Sequence, residues 1–179
     1  MKENSNKILL TYGAIGAVAA IAWTIVLYVM GVEAFTGALS FVGYIIPIVV
    51  AILAAIKAKR ENEGYLDFKA ALKITFGVLA LTSLGSTIFN YILIYVIDVP
   101  FGEALMQKAA LNLEQMLTKF GSKQEDIDKA IEKMNDPSSR NFGNMALGFL
   151  TYLIGWFIVA VIISLIVKKK KPEFADAQF

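Results

Sequence analysis

The sequence contains no cysteine and no histidine. Their absence removes thiol nucleophiles, disulfides, imidazole bases and most transition-metal ligand sets. It leaves the redox compartment undetermined. Charge is scarce as well: 18% of the 179 residues are charged against 57% that are apolar, and the mean hydropathy is +0.61. A soluble domain carries about 25% charged and about 45–50% apolar residues, so both departures point to a membrane protein. The apolar residues gather in long runs, unlike the roughly ten-residue alternating segments of a membrane barrel. The net charge of +2 says little as a total, because its distribution along the chain is what orients a membrane protein.

Four apolar runs stand out, at about 8–30, 35–56, 74–97 and 145–167. Each is long enough to cross a hydrocarbon layer of about 30 Å, which takes about 20 helical residues. The expected fold is all-α: a four-helix transmembrane bundle forming a single integral-membrane domain over residues 1–179, with an extracytoplasmic helical hairpin between the third and fourth spans. A signal-peptide reading of the first run is set aside, because the run exceeds a typical h-region and ends at Met30-Gly31-Val32-Glu33 without an Ala-x-Ala-like site. Gly13, Gly16, Ala17 and Ala20 give it small residues that suit close helix packing inside the monomer. The second run carries Pro47 four residues after Gly43. The proline ring removes a backbone hydrogen bond and crowds the carbonyl of Gly43, so this pair predicts a local kink.

Between the second and third runs lies a basic joint with Lys57, Lys59, Arg60, Lys69 and Lys73 against Glu61, Glu63 and Asp67. Tyr65, Leu66, Phe68, Ala71 and Leu72 fall at mixed helical spacing, which suits a short interfacial helix whose lysines reach lipid phosphates. The stretch from Tyr65 to Ile97 is too long to cross perpendicularly, so a bend or interfacial start near Lys73 is expected. The third run is the most polar of the four. Thr82, Ser86 and Asn90 form one row at spacing four, and Ser83, Thr87 and Tyr91 an adjoining one. In lipid such a stripe faces protein or water. Interhelical hydrogen bonding is the reading adopted here, with a polar pathway as the alternative.

Asp98-Val99-Pro100 closes the third run. Leu105, Ala109, Leu113, Met116, Leu117 and Phe120 then recur near a 3.6 period, Gly121 punctuates, and Ser122-Lys-Gln-Glu125 is a capping-box pattern for a second helix through Met134. The insert over 102–136 therefore reads as a helical hairpin outside the bilayer, its apolar faces packed together or lying on the membrane surface. Asp136-Pro137-Ser138-Ser139 stops it. Its charges of both signs are interspersed, which speaks against nucleic acid as a partner. The last run includes Gly148 and Gly155, seven apart, and ends at Lys168, Lys169, Lys170 and Lys171, a stop-transfer signal also suited to anionic lipid. Eleven Lys and Arg residues fall on the N-terminus, joint and tail. The Glu33 loop has none, and the insert has six against eight acids. The positive-inside rule then places both termini and the joint in the cytosol and the insert outside.

Gly64-Tyr65-x-x-Phe68-x-x-Ala71 after the basic turn, Gly-Ser-Lys-Gln-Glu-Asp-Ile from Gly121 and the closing lysines occur together. With these features the chain resembles, over roughly 7–171, a bacterial family of small four-helix membrane proteins known only as a domain of unknown function. The resemblance implies a bacterial inner-membrane location and brings no reaction, cofactor or catalytic residue.

Intramembrane catalysis needs a nucleophile with a base, an aspartate pair or a metal, and no span contains a carboxylate, histidine or cysteine. No enzyme activity and no cofactor are expected. Asp67, Asp98 and Glu103 sit near span ends, where capping or solvated charge accounts for them. The expected role is a structural or accessory protein of the cell envelope, embedded in the lipid bilayer and offering the hairpin to a protein partner. The alternative is a small-solute transporter or channel subunit that uses Pro47 and the third-span stripe, with homo-oligomerisation to build a pore.

Overall fold

The computed structural model describes residues 2–136 and 142–171. Helix α1 spans Lys2–Met30, α2 Val32–Thr36, α3 Val42–Glu61, α4 Phe68–Ile92, α5 Val99–Lys119, α6 Gln124–Asn135 and α7 Phe142–Val167. A 3-10 turn, Ala38–Phe41, leads into α3, and a π turn, Leu93–Ile97, prolongs α4. Among the described residues the only strand-like pairing is an isolated antiparallel bridge between Leu66 and Lys169. Four segments are long and apolar enough to cross a membrane: Asn4–Met30, Ala38–Glu61, Phe68–Ile97 and Ala146–Val167. The protein is an all-α, multi-pass membrane protein.

The spans bury little within the bundle, as lipid-facing helices must, and α4 is the helix on which the other three meet. This helix touches the other three spans and makes its most extensive contact with α1. Ile74, Thr75, Val78 and Leu79 of α4 are fully buried beside Ala51, Ala54 and Ala55 of α3 and Ala160 of α7. Such small residues let backbones approach, which matters because apolar side chains gain nothing from leaving lipid for one another. The small residues of α1 belong to this packing. The space a side chain would need at Gly16 is taken by Thr82, and at Gly13 by Leu81. Gly148 and Gly155 of α7, by contrast, face open space.

The second span starts at Ala38, three residues later than the apolar run suggests. Phe35 belongs instead to α2, and the chain leaves α2 through Gly37 in an extended conformation (φ −93, ψ −167). A Cβ on Gly37 would lie 2.6 Å from the carbonyl oxygen of Glu33, so the bend requires glycine. Pro47 falls in the second turn of α3, and the helix continues through it to Glu61. The ring removes the one backbone bond that would reach the Gly43 carbonyl, and the helix is continuous on both sides of it.

The third span also departs from expectation. No break occurs near Lys73: α4 begins at Phe68 and runs unbroken into its π turn. Asp67 caps it, accepting from the Ala70 N–H at 2.9 Å, after a corner in which Glu63 (φ 55) and Gly64 (φ 83) are both left-handed.

One end of the bundle gathers the start of α1, the end of α3, the start of α4 and the end of α7. Asn4 donates to Glu61 Oε2 (2.6 Å) and Lys73 Nζ to Asn6 Oδ1 (2.7 Å). Leu66 and Lys169 exchange two backbone hydrogen bonds of 2.9 and 2.8 Å. The N-terminus, joint and closing lysines thus share one end, as their common charge suggests. The opposite end carries α2, α5 and α6.

In the insert, α5 and α6 form the expected hairpin, turning at Gly121 (φ 75). The capping box does not form. Lys123 occupies the N-cap position without a side-chain bond, and Ser122 spends its N–H on the Leu117 carbonyl (3.0 Å), closing the end of α5. Starting one residue late, the helix leaves Ser122 out of reach of its orphan N–H groups. The stop at Pro137, Ser138 and Ser139 and the tail from Pro172 lie outside the described residues.

Candidate functional site

The hairpin is fixed to the bundle by a junction built from four segments. Asp98 ends the π turn, donating its N–H to the Leu93 carbonyl (2.9 Å), and its side chain caps α5 by accepting from the Phe101 N–H at 2.9 Å. Its second oxygen accepts from the Tyr28 hydroxyl of α1 at 2.7 Å. The Phe101 ring stands edge-on to Tyr28 (4.8 Å between centroids) and to Phe35 of α2 (5.6 Å). Further along α5, Lys108 pairs with Glu33 at 2.8 Å. Asp98 therefore ties α1 to α5 through one carboxylate and closes the π turn after α4 with its own N–H.

Those donors set its titration. The Phe101 N–H, and after it the Tyr28 hydroxyl, hold the Asp98 carboxyl below its ordinary value of 3.8, against an opposing effect of burial. The ionised form is the one stabilised. Its contribution is complete above the ordinary carboxylate value and is lost as pH falls through the lower, folded value. Protection of the Phe101 amide, its exchange relative to the intrinsic rate at each pH, is expected to hold from neutral pH down to the ordinary carboxylate value and to fall below it. In Tyr28→Phe, which removes one of the two donors, the loss of protection should begin at higher pH. An unchanged onset contradicts this account of the junction.

Beyond the junction, Ile127 of α6 is 1% exposed and Leu105 of α5 is buried, so each helix contributes one anchored apolar side chain. Leu113 and Leu117 of α5 are half-buried, and the covering ends toward the turn. Met116 is 48% and Phe120 81% exposed, and they lie four residues apart on one face at the tip of the hairpin.

The polar stripe of the third span is brought together along α4 but turned mostly on the protein's own backbone. Thr82 Oγ1 donates to the Gly13 carbonyl of α1 (3.4 Å), Ser86 to Ser83 O (3.1 Å) and Asn90 to Ser86 O (2.8 Å). Ser83 Oγ is buried without a partner, Thr87 is half-buried, and Tyr91 is exposed against Tyr95 (4.9 Å). A fully buried interhelical polar contact lies elsewhere: Thr75 and Ser164 meet at 2.9 Å in the core between α4 and α7. Spacing along one helix cannot reveal that pair, because its members are 89 residues apart.

Several of the lysines expected to touch lipid phosphates are engaged within the protein. Lys59 Nζ donates to the Val167 carbonyl (2.8 Å), where a cation complements the C-terminal end of α7. Lys57 pairs with Glu61 (3.0 Å), Lys73 is bound to Asn6, and Lys169 lies 5.3 Å above the Tyr65 ring. Arg60, Lys69, Lys168, Lys170 and Lys171 are exposed.

A family model described as "Protein of unknown function (DUF4199)" matches residues 11–169. No curated protein and no solved structure matches the chain.

Proposed function

The chain belongs to this DUF4199 family, and from that premise we propose that it is an accessory or structural protein of the bacterial cell envelope and not an enzyme. It resides in the inner membrane with both termini cytosolic, and its α5–α6 hairpin outside recruits a protein partner. The observation that carries this reading is the hairpin tip. A helical arm is held to the bundle at Asp98, Phe101 and Lys108, yet presents Met116 and Phe120 uncovered at its far end. Exposed aromatic and methionine side chains on a positioned arm are the composition of a protein interface core. The charge distribution supports the sidedness.

The reading is tested by removing residues 102–136. A partner held by the intact chain should be lost while the four spans still insert. A shortened chain that keeps the partner contradicts it.

Transport is the second reading, favoured by one observation, the buried and unpartnered Ser83 hydroxyl. The backbone partners of Thr82, Ser86 and Asn90 favour a packing role for the rest of the stripe. Solute flux in vesicles that Asn90→Leu alters would support transport. Absence of flux across solute classes weighs against it.

A further inference from the structure

The end of the bundle opposite the hairpin contains a cavity of about 410 Å³ between the start of α1, the end of α3 and the start of α4. Its position relative to the spans is informative. The apolar span of α1 begins at Asn4, that of α3 ends at Glu61, and that of α4 begins at Phe68. The cavity therefore lies where the apolar layer gives way to head groups, in any bilayer that these spans cross. Its wall is made in part by the buried side chains of Ile8, Ala58 and Leu66.

Its charged lining is balanced in sign. Lys69 and Lys73 are one turn apart on α4 and so share a face, while Glu61 and Asp67 contribute two carboxylates. Lys73 is steadied by Asn6, and Lys69 has no ion-pair or hydrogen-bond partner among the described residues. Asp67 uses Oδ1 to cap α4. Glu61 is positioned by Asn4 and Lys57. Two ammonium groups on one face suit phosphate oxygens, and two carboxylates suit a cation that donates N–H bonds. A quaternary ammonium donates none, and its recognition calls on aromatic faces, which this lining lacks.

We infer that the cavity binds a phosphoethanolamine group, with phosphate on Lys69 and Lys73 and the primary ammonium on Glu61 and Asp67. A membrane phospholipid would enter with its glycerol against Ile8 and Leu66 and its acyl chains along the spans. A free phosphoethanolamine ester would use the same charged groups without that apolar contact.

Native mass spectrometry of the full chain in detergent distinguishes these cases. The probes are phosphatidylethanolamine, phosphatidylcholine and phosphatidylglycerol with matched acyl chains, and soluble phosphoethanolamine alone. The ethanolamine lipid should be held about tenfold more tightly than the other two lipids, the scale of one charge-assisted contact. Asp67→Asn should reduce that preference to near parity, whereas Lys69→Gln, which removes a contact to the phosphate that all three lipids share, should weaken retention of all three. Asparagine remains a good N-cap, so the start of α4 survives the change at Asp67. Lys119→Gln, at the far end of α5, should leave the preference intact. Binding of soluble phosphoethanolamine that Lys69→Gln weakens would identify the free compound as a source, and lipid-only binding would identify the membrane. Either result supports the head-group chemistry. Equal retention of the three lipids, a preference that Asp67→Asn leaves unchanged, or lipid retention that Lys69→Gln does not weaken overturns it.

Discussion

Replacing Gly16 with leucine is expected to destroy the folded bundle at temperatures where the parent chain is stable. Gly16 faces α4 at its most extensive helix contact, and even a Cβ there would run into the Thr82 side chain. Thr82 has no room to yield, being 1% exposed and short, with its hydroxyl aimed at the Gly13 carbonyl. Overpacking of a filled core costs about 1–3 kcal/mol, and a leucine at a glycine contact between backbones belongs at or above the top of that range. Loss of close packing between α1 and α4 adds to it, since such packing is much of what holds helices together in lipid.

The informative comparison is with Gly148→Leu and Gly155→Leu. These glycines are equally small and equally embedded in an apolar run, but nothing lies within 4 Å of a Cβ at either. Their substitution should change stability by about 0.5 kcal/mol or less. Thermal unfolding in detergent, followed by loss of near-ultraviolet circular dichroism, measures all three. All three leucine variants are apolar enough to insert, so a difference among them reports packing. Similar unfolding temperatures for Gly16→Leu and Gly148→Leu would contradict the α1–α4 interface described here.

The second large effect concerns the hairpin tip. Phe120→Asp, alone or with Met116→Lys, should abolish partner capture with little change in bundle stability. An interface aromatic at 81% exposure in the free protein contributes nothing to the fold by burial, so its removal leaves the monomer intact. Buried against a partner, it would become the kind of central anchor whose truncation costs about 2 kcal/mol or more, roughly thirtyfold in affinity. Ile127→Ala is the opposite case. That side chain is 1% exposed, so its truncation should loosen the hairpin itself and lower capture indirectly. Unfolding of the hairpin separates the two, being unchanged for Phe120→Asp and earlier for Ile127→Ala.

The fold was legible because its signals are long-range averages. Apolar runs of span length, a hairpin period and a charge asymmetry survive errors of a few residues, and they recovered four spans and an inserted pair of helices. Features set by a single backbone angle were not legible. Gly37 moves the start of the second span from Phe35 to Ala38, and Lys123 takes the cap position that Ser122 seemed to fill. Contacts between distant segments were hidden for a different reason. The bond from Lys59 to the Val167 carbonyl joins residues 108 apart in sequence, so no local pattern announces it. Thr75 stood outside the polar stripe on α4, yet it makes the buried bond to Ser164. The cavity beside Lys69 and Lys73 has the same origin, since Asn4, Glu61 and Lys73 meet only through the packing of three helices.

The most direct test of the proposed role is mild-detergent capture of the full chain from its native membrane, beside a chain lacking residues 102–136. The absence of native cysteine allows a single introduced thiol in the joint to tether both chains identically. The hairpin reading predicts a second protein near stoichiometric amount with the intact chain and none with the shortened one, both chains being inserted. A partner retained by the shortened chain, or an intact chain that isolates only as a homo-oligomer, would contradict it.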